Sequence, residues 1–268
     1  MNTTTLSITE QTVDLWGGRL SITVKVAGAG APLLYLHPAA GLTWDPFLTH
    51  LTTHYTVYAP EFPGTSEGNP YAIHTIDTLS DMVLAYEELI RTLGLDHPVI
   101  VGQSFGGMLA AELASTFHAL PNRLILLDPI GLWHEGAPTA NWVATPPDQL
   151  PALLFHDPEG PAAQAMLAPT DDVEQLQAAA AAMVWAMGCT GKFAWPIPDR
   201  GLRHRLHRLA VPTLIIWGRD DKLISVEYAE HFHKLISDST VTIINECGHI
   251  PQVEKFDETV EAVDKFLI

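Results

Sequence analysis

Three separated stretches of the chain carry side chains that could perform nucleophilic catalysis together. The first is Gly102-Gln103-Ser104-Phe105-Gly106, a serine with a glycine two residues to either side. The β-branched run Pro98-Val99-Ile100-Val101 precedes it, and the Ala/Leu-rich run from Met108 to Ala114 follows. A strand that turns directly into a helix forces its middle residue into a strained conformation and leaves no room for neighbouring Cβ atoms. The serine hydroxyl then stands on the tip of the turn, at a helix N-terminus that favours developing negative charge. A serine hydroxyl needs a base to take its proton, and the base needs a third group to orient it.

The second stretch, Asn245-Glu246-Cys247-Gly248-His249-Ile250-Pro251, offers that base in His249, one of 13 histidines. The third, Gly218-Arg219-Asp220-Asp221-Lys222, follows an apolar run and offers the orienting acid. Asp221 is preferred, with Asp220 and Asp128 as rivals, because Asp128 ends the neighbouring run Arg123-Leu124-Ile125-Leu126-Leu127 and could reach the same space. An oxyanion hole needs two fixed N–H donors. The backbone of Phe105 supplies one. The loop after Leu36 supplies the other, and since Pro38 has no N–H, Ala39 is expected to be the donor, with Ala40 second.

These groups converge only if the surrounding elements form an open α/β sheet. Thr12 to Ala27 reads as a β-hairpin around Gly17-Gly18, and Leu33–Leu36, Thr56–Ala59, Arg123–Asp128, Pro212–Gly218 and Val241–Ile244 read as further strands. Helices are expected at about Trp44–Leu51, at Thr78–Leu93, after Ser104, and in a closing segment carrying Val253, Phe256, Val260, Val263 and Phe266. The alternation predicts a mostly parallel central sheet of about eight strands flanked by helices, with ligands at the carboxyl ends of the strands. Between Gly131 and Arg208 the strands stop and helices are predicted at Asp148–Phe155, Pro161–Leu167, Asp172–Met187 and Arg200–Leu209. That divides the chain into a core of residues 1–131 and 209–268 and a helical cap of 132–208, inserted after the sixth strand and placed over the serine. Trp133, Trp142, Phe155, Met183, Trp185 and Trp195 of the cap, with His37, Ala40 and Ile250 of the core loops, are the candidates for an apolar pocket.

Composition narrows the partners. The chain has 268 residues, 31 acidic against 14 basic, for a formal net charge of −17. Such a surface disfavours nucleic acid and anionic membranes and suits a small neutral or apolar substrate. The Thr-rich start from Met1 to Gln11 has neither the basic nor the apolar part of a secretory signal, and no apolar run reaches membrane-spanning length, so a cytoplasmic protein is expected. Cys189 and Cys247 are too few for a disulfide framework. The pairs His204/His207 and His231/His233 lack metal-ligand spacing, and no phosphate or dinucleotide fingerprint is present, so neither metal nor cofactor is expected. A homodimer is left open.

From about Leu20 to the C-terminus, the three stretches and their order Ser, Asp, His resemble the α/β-hydrolase fold superfamily. The resemblance is to its small capped members, which include carboxylesterases, non-haem perhydrolases and meta-cleavage C–C hydrolases. It implies a serine hydrolase of carboxylic esters, with a C–C hydrolase of vinylogous diketones as the alternative on the same three residues. A slow-turnover ligand receptor on the same scaffold is the alternative of another class. Three positions depart from the pattern: His37-Pro38 stands for the usual His-Gly, Glu61 for an aspartate, and Ile250 for the tryptophan common in C–C hydrolases. Ser104 argues against epoxide hydrolases and haloalkane dehalogenases, which place aspartate there.

Overall fold

The structure is a computed structural model that describes residues 6–167, 170 and 172–268. Its strands are β1 (Thr9–Leu15), β2 (Leu20–Gly28), β3 (Ala31–Leu36), β4 (Tyr55–Pro60), β5 (Val99–Gln103), β6 (Arg123–Leu127), β7 (Thr213–Gly218) and β8 (Ser239–Ile244). They form one sheet in the order β1-β2-β4-β3-β5-β6-β7-β8. β2 runs antiparallel to both β1 and β4, and every pairing from β4 to β8 is parallel. The register sets Leu36 beside Gly102 and Gln103 beside Leu127, so the loops after β3, β5 and β6 leave the sheet at one edge.

Strand residues alternate between two buried layers, as the two-residue period of a strand requires. Leu34, Leu36, Ile100, Leu124, Leu126, Ile215 and Trp217 face one layer, together with α2 (Leu79–Thr92), α3 (Phe105–Thr116) and α7 (Glu227–Leu235). Leu33, Tyr35, Val99, Val101, Ile125, Leu127, Leu214 and Ile216 face the other, with α1 (Pro46–Leu51) and α9 (Phe256–Leu267). Each fully buried aliphatic side chain contributes about 1.5–3 kcal/mol. The sheet is therefore the rigid part of the molecule. Helix starts are specified locally: Asp45 accepts from Leu48 N–H to cap α1, and Thr78 with Asp81 forms a capping box on α2.

Between β6 and β7 the described residues contain no strand; α4 (Leu150–Leu154), α5 (Pro161–Leu167) and α6 (Val173–Ala194) lie there, followed by two short 3-10 turns. α6 continues through Gly188 and Gly191, beyond the expected end at Met187. Its second half buries Ala186, Met187, Cys189, Thr190, Phe193 and Ala194, which offsets the roughly 1 kcal/mol that each glycine costs a helix. The helix expected at Arg200–Leu209 is instead two 3-10 turns, Leu202–His204 and Leu206–Arg208. Gly201 enters them with φ +90°, and the Arg205 guanidinium turns inward to Glu112 at 2.5 and 2.8 Å. The closing helix is broken at Lys255 into α8 (Pro251–Glu254) and α9. The helix α7 was not anticipated from the sequence at all.

Candidate active site

Ser104 sits between β5 and α3 with φ +55° and ψ −114°, a strained conformation for a residue with a side chain. The surroundings leave it little freedom. Its N–H donates to the Leu127 carbonyl at 2.8 Å, and its carbonyl accepts from Met108 and Ile130 at 3.1 and 3.2 Å. The flanking glycines are required by close approach. A Cβ on Gly102 would strike the Gly106 carbonyl, and one on Gly106 would strike the carbonyl of Leu36.

The Ser104 hydroxyl lies 2.8 Å from His249 Nε2, and His249 Nδ1 lies 2.7 Å from Asp221 Oδ2. The other Asp221 oxygen accepts from the N–H groups of Leu223 and Ile224, both at 2.9 Å. A carboxylate only accepts, so Nδ1 carries the imidazole proton and Nε2 faces the serine as an acceptor. All three side chains are buried, with residue exposures of 2%, 2% and 6% for Ser104, His249 and Asp221. Asp220, the adjacent rival, points away and meets His156 Nδ1 at 2.8 Å near the surface. Asp128, the other rival, is buried behind Asp221 and accepts from Gly218 N–H at 2.9 Å.

Two groups that fix the histidine were not evident from sequence spacing. The His249 N–H donates to the carbonyl of Leu154, at the end of α4, at 2.7 Å. Its carbonyl accepts from Gln103 Nε2, one residue before the serine, at 3.0 Å. Only the fold brings α4 and β5 to the same loop. Gln103 was within the elbow stretch, but nothing in its spacing marks it as a partner of His249.

The loop after β3 is held from both sides. His37 Nδ1–H donates to the Pro38 carbonyl at 2.7 Å, and its Nε2 accepts from Phe62 N–H at 3.0 Å. His37 was expected to line the substrate pocket. With both ring nitrogens engaged and the ring wholly buried, it is a strut between two loops. Burial lowers its pKa to about 3, so the ring is neutral. Because the Pro38 carbonyl and the Ala39 N–H belong to one trans peptide, pinning the carbonyl turns the N–H the opposite way. From the other side, the Thr190 hydroxyl of α6 lies 3.3 Å from the Ala39 carbonyl, and it shares its one proton with the Ala186 and Met187 carbonyls of its own helix at 3.0 and 3.2 Å. Among the described residues, neither Ala39 N–H nor Phe105 N–H, at the first position of α3, has an acceptor.

The model of the Alpha/beta hydrolase family matches residues 28–262, nearly the whole chain. The chain belongs to this family. It is 26% identical to a 2-hydroxy-6-oxo-2,4-heptadienoate hydrolase of Pseudomonas putida, over 93% of this chain and 94% of the relative. It is 25% identical to Lipase 1 of Psychrobacter immobilis, over 89% of this chain and 77% of that one. In fold it is similar to the naproxen esterase of Bacillus subtilis, with a TM-score of 0.76 at 14% identity, covering 98% of this chain and 93% of that one.

In this hydrolase the remaining candidates fall into two groups. Trp142 is buried, packs edge-on to Trp195 at 5.0 Å and directs its N–H to the Met187 carbonyl, so this pair forms the interior of the helical insertion. Phe155 and Ile250 are packed together beside the His249 loop, in a small cluster with Ala163. Ala40 and Met183 are half-buried against the main core. Trp185 is 43% exposed, and its N–H donates to the Gly64 carbonyl at 2.9 Å. Trp133 is half-buried and turns its N–H to Glu135 at the surface. Glu61, the departure from the family's aspartate, is buried and meets Lys25 Nζ at 3.3 Å. No helix of the described residues is long and apolar enough to cross a membrane.

Proposed function

We propose that this hydrolase cleaves carboxylic esters of small to medium apolar acyl or aryl groups through an acyl-enzyme on Ser104. The observation that carries this is the continuous line of hydrogen bonds from Ser104 Oγ to His249 at 2.8 Å and on to Asp221 at 2.7 Å. His249 Nε2 takes the serine proton as Oγ attacks the ester carbonyl, and Asp221 holds the tautomer and stabilises the imidazolium. The free N–H groups of Phe105 and Ala39 bind the oxyanion. The imidazolium then protonates the departing alkoxide, and a water activated by the same ring releases the acid. Residues 132–208 act as the cap, with α6 resting on the oxyanion loop and α4 holding the histidine loop. No metal or cofactor takes part in these steps. We place the protein in the cytoplasm, acting on a small-molecule substrate.

The test is p-nitrophenyl ester hydrolysis across acyl lengths, with Ser104→Ala beside the wild type. Turnover that disappears in the variant supports the proposal, and turnover that survives refutes it. A second reading, C–C hydrolysis of a vinylogous diketone by the same residues, is favoured by the Pseudomonas relative and by a Metapseudomonas resinovorans hydrolase of a 2'-aminophenyl hexadienoic acid, 29% identical over 90% of this chain. Rapid bleaching of such a coloured dienoate, with esters left intact, selects it.

A further inference from the structure

Behind His249 lie two carboxyl groups rather than one. Asp128, Asp221 and His249 each bring a polar atom to within 4.8 Å of the others, and all three residues are buried. Asp128 ends β6 at φ +44°, a left-handed conformation that aspartate tolerates better than most residues. Its Oδ1 accepts from Gly218 N–H, whereas its Oδ2 is buried without a hydrogen-bond partner, and its carboxyl lies within 4.8 Å of that of Asp221. Two ionised carboxylates in this position would set acceptor against acceptor. A single proton between them turns the contact into a hydrogen bond.

Counting donors decides which carboxyl holds the proton. Asp221 already accepts from Leu223 N–H, Ile224 N–H and His249 Nδ1, so its negative charge is well solvated by the protein. Asp128 accepts from one N–H only. The other titratable groups around Asp128 are His249, whose Nδ1 proton is directed to Asp221, Glu254 on α8, which is acidic, and Cys247 on the β8 loop, a thiol. No lysine or arginine is among the groups that act on it. Burial, followed by the charge of Asp221, raises the Asp128 carboxyl well above the ordinary carboxylate range, in agreement with the donor count.

We propose that Asp128 is a neutral carboxylic acid that donates its proton to Asp221, so that the acidic pair behind His249 carries one negative charge, not two. Asp128 is then a positioning residue. It clamps the tip of β7 through Gly218 N–H and fixes the carboxylate on which His249 turns. Its importance to turnover rests on the function proposed above, but its protonation does not.

The experiment is infrared difference spectroscopy of the wild type and Asp128→Asn at about pH 8, paired with kcat/KM against pH for both. Asp45, raised by burial to about 6, is ionised under those conditions and does not interfere. The expected result is a carboxylic-acid C=O band that shifts in D2O and is missing from Asp128→Asn. The acidic limb of kcat/KM should stay within about 0.3 pH unit, because asparagine is also neutral and also donates. An ionised Asp128 would give no such band, and its replacement would move the acidic limb down by about one pH unit or more. Either result overturns the proposal. If Asp128→Asn does not fold, Asp128→Ser takes its place in the same comparison, and the band decides the matter even if the enzyme proves inactive on esters.

Discussion

His37→Asn perturbs a single buried strut and should change stability in a way that depends on pH. The ring bridges Pro38 and Phe62, and asparagine is too short to reach both. Leaving the Phe62 N–H buried without a partner costs about 1–3 kcal/mol at about pH 7.5. The pH dependence follows from the His37 pKa, which burial lowers from 6.5 to about 3. Between those values the unfolded chain binds a proton that the folded chain does not. The strut's contribution is therefore complete above pH 6.5 and is lost as the pH falls toward about 3. The slope is about 1.4 kcal/mol per pH unit. Asp45 has the opposite sign, since burial raises it from 3.8 to about 6 and the folded state gains protons over that range. The wild-type curve alone mixes the two effects, but the difference between wild type and His37→Asn isolates the histidine. Urea unfolding at several pH values should show the variant less stable at about pH 7.5, with the gap closing below pH 6.5 and vanishing near about pH 5. A gap that stays constant with pH would refute the assignment of His37 as a neutral buried strut.

Other substitutions test the supports of the site. Thr190→Val removes the hydroxyl beside the Ala39 carbonyl while keeping the shape, and should lower kcat by about 3–10-fold with stability changed by less than about 1 kcal/mol. Steady-state kinetics with a denaturation curve checks this, and an unchanged kcat would mean that α6 does not hold the oxyanion loop. Arg205→Met leaves the buried Glu112 carboxylate without its partner. The loss should be about 2–3 kcal/mol by thermal unfolding near neutral pH, allowing for the partial exposure of Arg205. Adding Glu112→Gln should recover most of it, since the uncompensated charge is then gone.

Much of the site was legible because its determinants are local. The Gly102 and Gly106 spacing follows from contacts within the strand-turn-helix itself, with Leu36 adjoining across the sheet. The β-branched runs became the parallel strands for the same reason, each being buried on both faces. The acid was harder. Asp221, Asp220 and Asp128 all end strands near one another, and only the fold turns Asp220 outward and sets Asp128 behind Asp221. His37 was mistaken for a pocket residue because its partner Phe62 lies beyond a whole strand and helix. The Leu154 carbonyl, which holds His249, lies 95 positions from it and leaves no trace in spacing. α7 went unread between two strong strand signals, although Tyr228, Ala229 and Phe232 bury one helical stripe.

The claim on which the account depends is that His249 activates Ser104 as a nucleophile. Reaction with a fluorophosphonate, followed by mass spectrometry of the labelled peptide, tests it most directly. The account predicts one adduct, on the peptide containing Ser104, that is absent from Ser104→Ala and formed at least about 100-fold more slowly in His249→Ala. An adduct elsewhere, or labelling of Ser104 at an equal rate without His249, would contradict it.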